Sequence, residues 1–334
     1  MKLIIQIPCL NEEETLPITI RDLPKVIPGI DEIELLIIDD GSTDRTVDVA
    51  KKLGVHHIIS FSKNRGLAEA FKAGIDACLK LGADIIVNTD ADNQYKGSDI
   101  PKLVLPIFNG EYDMIVGDRQ TDTITHFSPI KKLFQKFGSW VVRKASRTGV
   151  PDTTSGFRSY SREAALRLNV VSEFSYTLET IIQAGQKKMA VGHVEIGTNG
   201  VLRESRLFKG IINYMKHSAT TIIRIYTMYR PLKVFLTSGI ITFLVGSGLG
   251  VRFLILYLQG NGGGHIQSLI LAAVLMIIGI QMALIGLVAD LISNNRKLLE
   301  ETLYRVRKIE LEQTLQPESS AISDFSVSKS RQIS

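Results

Sequence analysis

Apolar runs recur along the first 120 positions, and each closes on a polar cluster. LIIQIPCL (3–10), ELLIIDDGS (34–42), HHIISFS (56–62), ADIIVNTD (83–90) and YDMIVGD (112–118) read as strands. Helical periodicity fills the intervals at 13–25, 44–53, 67–81 and 98–109. Strand and helix alternate, and the strands are apolar on both faces. That pattern predicts an α/β fold with a doubly wound, mostly parallel sheet.

The pattern changes beyond residue 150. PDTTSGFRSYSREAA reads as a polar loop leading into a helix. From Phe208 to Tyr229, Ile211, Ile212, Met215, Ile222, Ile223 and Ile225 oppose Lys209, Lys216, His217 and Arg224, as on an amphipathic helix at a membrane interface. Two apolar stretches follow, 234–258 and 266–292. Each exceeds the roughly 20 residues needed to cross a bilayer, and a buried helix pair is the alternative. The loop between them, QGNGGGH, carries no Lys, Arg, Asp or Glu, whereas Arg224, Arg230, Lys233, Arg296 and Lys297 flank the pair. The positive-inside rule then puts both termini on the cytoplasmic side of a cell membrane. The run RKLLEETLYRVRKIELEQ predicts a surface helix or short coiled coil, and the Ser-rich end predicts disorder. The expected organisation is a catalytic domain over 1–207, an amphipathic helix over 208–231, two transmembrane helices over 232–292 and a cytoplasmic tail over 293–334.

Composition adds little beyond placement. The 334 residues carry a net charge of +5 and two cysteines, Cys9 and Cys78, both within apolar runs. Buried free thiols in a reducing compartment are expected. The first residues read as a strand rather than a secretory signal. KKLFQKFGSWVVRKASR (131–147) holds six Lys or Arg, and no acid lies between Asp122 and Asp152. It reads as a surface for an anionic partner, with a solvated helix face as the alternative. No nucleic-acid partner is expected, and the tail helix and apolar pair are compatible with a homo-oligomer.

The polar clusters carry the chemistry. Asn11-Glu12, Asp39-Asp40, Asn64-Arg65-Gly66, Asp90-Asp92 and Gly117-Asp118-Arg119 all fall at the carboxyl ends of predicted strands, where open α/β sheets bind ligands. Asp90 and Asp92 lie two apart, so on a continuing strand they point the same way and repel. A divalent cation relieves that repulsion; Mg²⁺ takes one or two carboxylates and completes its shell with water and substrate phosphates. Gln94 adds a neutral oxygen on the same side. A solvated turn or helix start is the alternative for such acids. Ser42 or Thr43 can cap the helix from 44, but capping does not require Asp40, which is suited to accept a hydrogen bond from a nucleotide base. Asn11 and Glu12 can reach base or ribose by the same geometry.

IPCLNEEE, DDGSTD, TDADNQ and GDR together resemble the family 2 glycosyltransferases of the GT-A fold. TSGFRSYSREAA, the basic helices and the apolar pair resemble one group within that family. These are the polyprenyl-phosphate glycosyltransferases, including dolichol-phosphate mannose synthases and undecaprenyl-phosphate glucosyltransferases. The resemblance implies inverting transfer of a sugar from a nucleotide-diphosphate sugar to an undecaprenyl or dolichyl phosphate, with Mg²⁺ or Mn²⁺. It implies nucleotide contacts at Pro8, Leu10, Glu12, Asp40 and Asp90, and metal and diphosphate contacts at Asp90, Asp92 and Gln94. Arg119 would sit near the phosphates and act with Asp92 in catalysis. Ser155, Arg158, Arg203, Ser205 and Arg206 would face the acceptor phosphate. Asp152, the acid nearest the SGFR segment, reads as positioning Arg158 rather than as a base. RESRL stands where many relatives carry a G-x-S-K-like run, and Leu10 replaces an aromatic common there. The alternatives are transfer to another lipid acceptor, a processive polysaccharide synthase and a nucleotide-sugar-binding scaffold without activity. Synthases of the processive kind carry a QxxRW motif, and the single Trp here, Trp140, lies outside any such motif.

Overall fold

The computed structural model describes residues 1–120, 142–143, 146, 148–171, 176–200, 220, 223–224, 226–260, 263 and 265–315. The chain divides into two compact units: Met1–Ile222 with Thr302–Ser334, and Ile223–Glu301.

The first unit is built on seven strands: β1 (Lys2–Cys9), β2 (Glu32–Asp39), β3 (His57–Ser60), β4 (Ile85–Asn88), β5 (Met114–Asp118), β6 (Arg158–Ser161) and β7 (Val191–Glu195). Their order is β3-β2-β1-β4-β6-β5-β7. Neighbours pair in parallel except β6, which runs antiparallel to both β4 and β5. The sheet is therefore mixed rather than wholly parallel. The reversal has a consequence for the site: the start of β6 lies at the same edge as the ends of the other six strands.

The helices of this unit are α1 (Leu16–Asp22), α2 (Thr46–Lys52), α3 (Leu67–Lys80), α4 (Ile100–Phe108), α5 (Arg162–Arg167) and α6 (Tyr176–Gln186). Alternate residues of β1 face opposite layers. Leu3, Ile5 and Ile7 join Leu16, Ile100, Leu103 and Val104 in one buried cluster. On the opposite face α3 packs on β1 and β2, and Gly74 approaches Gln6 and Ile38. Both cysteines are free and buried, as their apolar surroundings predict.

Five strands and four helices occupy the intervals the sequence pattern marks. β6 and β7 carry no such mark. RSYS is polar at most positions, yet Arg158, Ser159 and Tyr160 are fully buried. Arg158 and Ser159 are met by acceptors inside the protein, so their burial leaves no apolar signature.

The second unit contains α7 (Pro231–Leu258) and the first part of α8 (Ile266–Leu315). Small residues let the two helices approach closely: a Cβ at Gly239 would lie 2.7 Å from the Gly279 carbonyl oxygen, and one at Gly246 would lie 2.9 Å from that of Ala272. The second apolar stretch and the charged tail run, read from the sequence as separate, form one continuous 50-residue helix. Within the first unit, the far end of α8 meets α3 and α5. Arg307 pairs with Asp76, Lys80 with Glu310, and the Arg167 guanidinium lies 4.3 Å from the Tyr304 ring centre. Most of the 131–147 run, most of the 208–229 helix and the Ser-rich end lie outside the described residues.

Candidate active site

The carboxyl ends of β1, β2, β4 and β5 and the amino end of β6 bring the polar clusters to one edge. At the end of β1, Pro8 is buried opposite Ile38 and Leu10 is half-buried. Asn11 takes a left-handed backbone (φ 54°), and its side-chain oxygen accepts the Thr43 amide at 2.8 Å. Asn tolerates that conformation better than most residues. Glu12 is buried; its carboxylate accepts the Thr15 hydroxyl at 2.6 Å.

At the end of β2, Asp40 is buried and accepts the Arg65 and Gly66 amides at 2.7 and 2.9 Å. Those amides open α3, so Asp40 fixes the loop after β3 against the loop after β2. Gly41 is required between them. Its φ is +75°, and a Cβ there would lie 2.5 Å from the Lys63 carbonyl carbon. Asp39 accepts the Ser42 amide at 3.1 Å, while Asp44 takes the Thr46 amide at 2.9 Å. Asp44, not Ser42 or Thr43, therefore satisfies the first turn of α2.

Beyond β4 the chain turns at Asn93 (φ 54°), and Asp92 accepts the Gln94 amide at 3.2 Å. Burial and the neighbouring Asp92 charge push the Asp90 pKa up to about 7, against the opposing pull of Arg119 and a hydrogen bond with Tyr95. Asp90, buried and crowded by the Asp92 charge, is short of positive charge, and a divalent cation supplies it. Among the described residues no group of three or more His, Cys, Asp or Glu is placed to hold a metal. A two-carboxylate set fits a hard cation that keeps water and phosphate oxygens in its remaining positions. Gln94 adjoins the pair, and its carbonyl accepts the Asn199 amide at 2.9 Å.

Arg119, just past β5, donates to both oxygens of Asp152 at 2.7 and 3.0 Å and to the Thr154 hydroxyl at 2.8 Å. Burial works against the Arg119 charge, but the Asp152 carboxylate outweighs it and the guanidinium stays protonated. Burial likewise disfavours the Asp152 anion, yet Arg119 holds its pKa below the ordinary carboxylate value. Among the described residues Nη1 of Arg119 has no partner. Asp152 was expected to position Arg158. It is instead the partner of Arg119.

Arg158 is fully buried, and its guanidinium is committed to protein acceptors: the carbonyls of Ser155 (2.7 Å), Thr177 (2.7 Å) and Thr153 (2.9 Å) and the Thr180 hydroxyl (2.8 Å). It ties the 153–155 loop to α6 rather than presenting charge to an acceptor. Ser155 is also fully buried, its hydroxyl accepting the Phe157 amide at 3.3 Å. Arg203, Ser205 and Arg206 lie outside the described residues.

Two side chains without a sequence signal, Asn88 and Tyr95, complete the floor. Asn88 donates to the Gly156 carbonyl at 2.8 Å and to the Tyr176 hydroxyl at 3.0 Å, and accepts from Gln6 at 2.9 Å. The Tyr95 hydroxyl accepts the Gly156 amide at 3.0 Å, and its ring stacks on Phe157 at 4.9 Å. Only the place of Tyr95, directly after TDADNQ, hinted at it.

A mixed α/β sheet whose strand-end loops gather Asp40, Asp90, Asp92 and Arg119 is the arrangement of a GT-A glycosyltransferase. Residues 4–168 match the model for glycosyl transferase family 2, and residues 230–294 match that for a GtrB C-terminal hairpin. The UDP-N-acetylglucosamine–dolichyl-phosphate N-acetylglucosaminyltransferase of Methanococcus voltae is 30% identical over 216 residues, 58% of this chain and 83% of that protein. The undecaprenyl-phosphate 4-deoxy-4-formamido-L-arabinose transferase of Photorhabdus laumondii is 28% identical over 302 residues, covering 87% of this chain and 88% of that one. Among solved structures, glucosyl-3-phosphoglycerate synthase from Mycobacterium tuberculosis, in complex with Mn²⁺, UDP-glucose and phosphoglyceric acid, shares the fold. Its TM-score is 0.54 at 21% identity, over 68% of this chain and 78% of that one. The chain belongs to glycosyl transferase family 2 and is a glycosyltransferase.

The location read from the sequence is corrected by these findings. The chain was expected to be an integral membrane protein with its catalytic domain and both termini cytoplasmic. The solved structures that share its fold are of glucosyl-3-phosphoglycerate synthase in complex with phosphoglyceric acid, a water-soluble anion. The two apolar helices are long and apolar enough to cross a membrane, but the core helix of a soluble protein can have the same length and composition. The integral-membrane assignment is withdrawn.

Proposed function

We propose that this enzyme transfers a sugar from a nucleotide-diphosphate sugar to a phosphate-bearing acceptor, with inversion, using Mg²⁺ or Mn²⁺. The observation that carries the reading is the Asp90–Asp92 pair, crowded at the end of β4 with the Asp90 pKa pushed up to about 7. Asp90 and Asp92 would hold the metal, with Gln94 beside them. When bound, the metal supplies charge stabilisation to the departing diphosphate. Arg119 adds a fixed positive charge: with Nε and Nη2 held by Asp152 and Thr154, its Nη1 is left to meet a phosphate oxygen. Asp40, with Pro8, Leu10 and Glu12 beside it, lines the nucleotide side. A phosphate nucleophile is already anionic at neutral pH and needs no strong general base. Ser155 and the loop that Arg158 braces border the acceptor side, with Arg203, Ser205 and Arg206 as further acceptor contacts.

For the acceptor we propose a polyprenyl phosphate, supported by the printed activities of the Methanococcus and Photorhabdus relatives and by the hairpin match. A second reading, a family 2 enzyme acting on a different acceptor, is favoured by the phosphoglyceric acid bound in the similar solved structures. Mass spectrometry separates them. Purified protein would be incubated with Mn²⁺, a panel of UDP- and GDP-sugars, and either undecaprenyl phosphate or phosphoglyceric acid. A glycosylated lipid phosphate that disappears with Asp92→Ala supports the first reading. Glycosylated phosphoglycerate without lipid product establishes the second.

A further inference from the structure

The Gly156 peptide is gripped from three sides. Its amide donates to the Tyr95 hydroxyl, 3.0 Å away, and its carbonyl accepts from Asn88 at 2.8 Å. Its Cα face lies against the Asp90 carboxylate. A Cβ at this position would lie 3.1 and 3.2 Å from the two Asp90 oxygens and 2.9 Å from the Tyr176 hydroxyl. Glycine is thus the only residue that lets this peptide lie on the carboxylate without displacing a neighbour. Tyr95 holds this arrangement in place. It is 5% exposed, its ring is clamped on Phe157, and its hydroxyl accepts the amide of the same peptide that lies on the Asp90 carboxylate. The backbone around it is pinned too. Tyr95 bridges to Thr198, and Asn199 donates to the Asn93 carbonyl at 3.0 Å. Asn88 and Tyr95 lie 68 and 61 positions from Gly156, and none of these residues or Phe157 touches solvent enough to serve the surface.

We infer that Tyr95 and Gly156 are positioning residues for the metal carboxylate Asp90, and that through them the metal loop and the 153–158 loop are held as one unit. Oriented outer partners of a metal-binding carboxylate fix the direction of its lone pairs before the ion arrives. The Gly156 peptide does this for Asp90 by lying on its carboxylate, and the Tyr95 hydroxyl holds that peptide and its loop in place. A disturbance on either side is therefore passed to the other through a buried hydroxyl rather than through the ligand. The inference rests on the proposed metal reading.

Its test is Mn²⁺ binding to the full chain, read by the loss of the free-ion electron paramagnetic resonance signal with neither nucleotide nor acceptor present. Tyr95→Phe keeps the ring and its stack on Phe157 and removes one oxygen. It is expected to weaken Mn²⁺ binding about tenfold, with a thermal midpoint close to that of the unaltered protein. Gly156→Ala is expected to weaken it at least as much. Asp92→Ala serves as the control that removes a metal carboxylate. Tyr95→Phe that binds Mn²⁺ as tightly as the unaltered chain overturns the inference and leaves the metal reading standing. An unaltered chain whose Mn²⁺ binding is indifferent to Asp92→Ala overturns the metal reading itself.

Discussion

Arg119 and Asp152 share two hydrogen bonds, and their side chains keep 17% and 2% of their surface exposed. Removing one partner strands the other charge out of water. Asp152→Ala is therefore expected to cost about 3–5 kcal/mol in chemical denaturation, and to release the guanidinium from its fixed orientation. The pH dependence follows from the depressed Asp152 pKa. A carboxyl with a folded-state pKa below its unfolded value of about 3.9 contributes stability that is full above that value. The contribution is lost as pH falls through the folded-state pKa. Denaturation of the unaltered chain should steepen its loss of stability below about pH 4, and Asp152→Asn should flatten that limb. At this scale the acids of the site were legible from their place at strand ends. The pairings were not. Asp152 stands six positions from Arg158 and 33 from Arg119, and proximity in sequence pointed to the wrong arginine. Arg158 read as a ligand contact because the SGFR segment resembles one that lines the acceptor side. Here four acceptors meet it inside.

Strand β6 depends on that arginine. Its guanidinium fork reaches acceptors in three directions, which a single ammonium cannot do. Arg158→Lys should leave buried carbonyls unmet and cost about 2–4 kcal/mol in chemical denaturation, with unfolding still cooperative. Helix α3 is fixed to the sheet by a different device. A Cβ at Gly74 would lie 2.3 Å from Oε1 of Gln6 and 2.8 Å from Cδ1 of Ile38. Gly74→Ala is expected to destabilise by about 1–3 kcal/mol, the usual cost of overpacking, despite alanine's better helix propensity. Elements with a clean period were readable: β1, β2, β4 and β5 are apolar on both faces, and α3 keeps one stripe. β6 and β7 escaped because their inner faces are satisfied by hydrogen bonds and glycine rather than by aliphatic side chains. The single helix α8 also escaped, since an abrupt change from apolar to charged composition looks like a boundary although the backbone continues through it.

At the scale of the whole molecule, strand order does what no single motif can. Reversing β6 between β4 and β5 brings the SGFR segment to the edge where the acids lie, and the change of strand order between β1 and β4 falls beside Asp90, the position at which open sheets bind ligands. The far end of α8 belongs to this unit as well. Leu311 is buried, Arg307 donates to the Leu168 carbonyl at 3.1 Å, and the Tyr304 hydroxyl donates to Glu163 at 2.9 Å. Ending the chain after Glu301 should lower the stability of the catalytic unit by about 2–3 kcal/mol, read as an earlier denaturation midpoint of that unit. The family and the donor-side chemistry were legible in the sequence because they reside in contiguous strand-end motifs. Location was not, since length and hydropathy alone are shared by helices in several environments. The most direct measurement of the central claim is nucleoside diphosphate release from UDP- and GDP-sugars in the presence of acceptor. Release by the unaltered chain should stop with EDTA, return with Mn²⁺ and fall by about a hundredfold or more in Asp92→Ala. Release that survives chelation, or is equal in Asp92→Ala, would contradict a metal-dependent transferase built on the two carboxylates beyond β4.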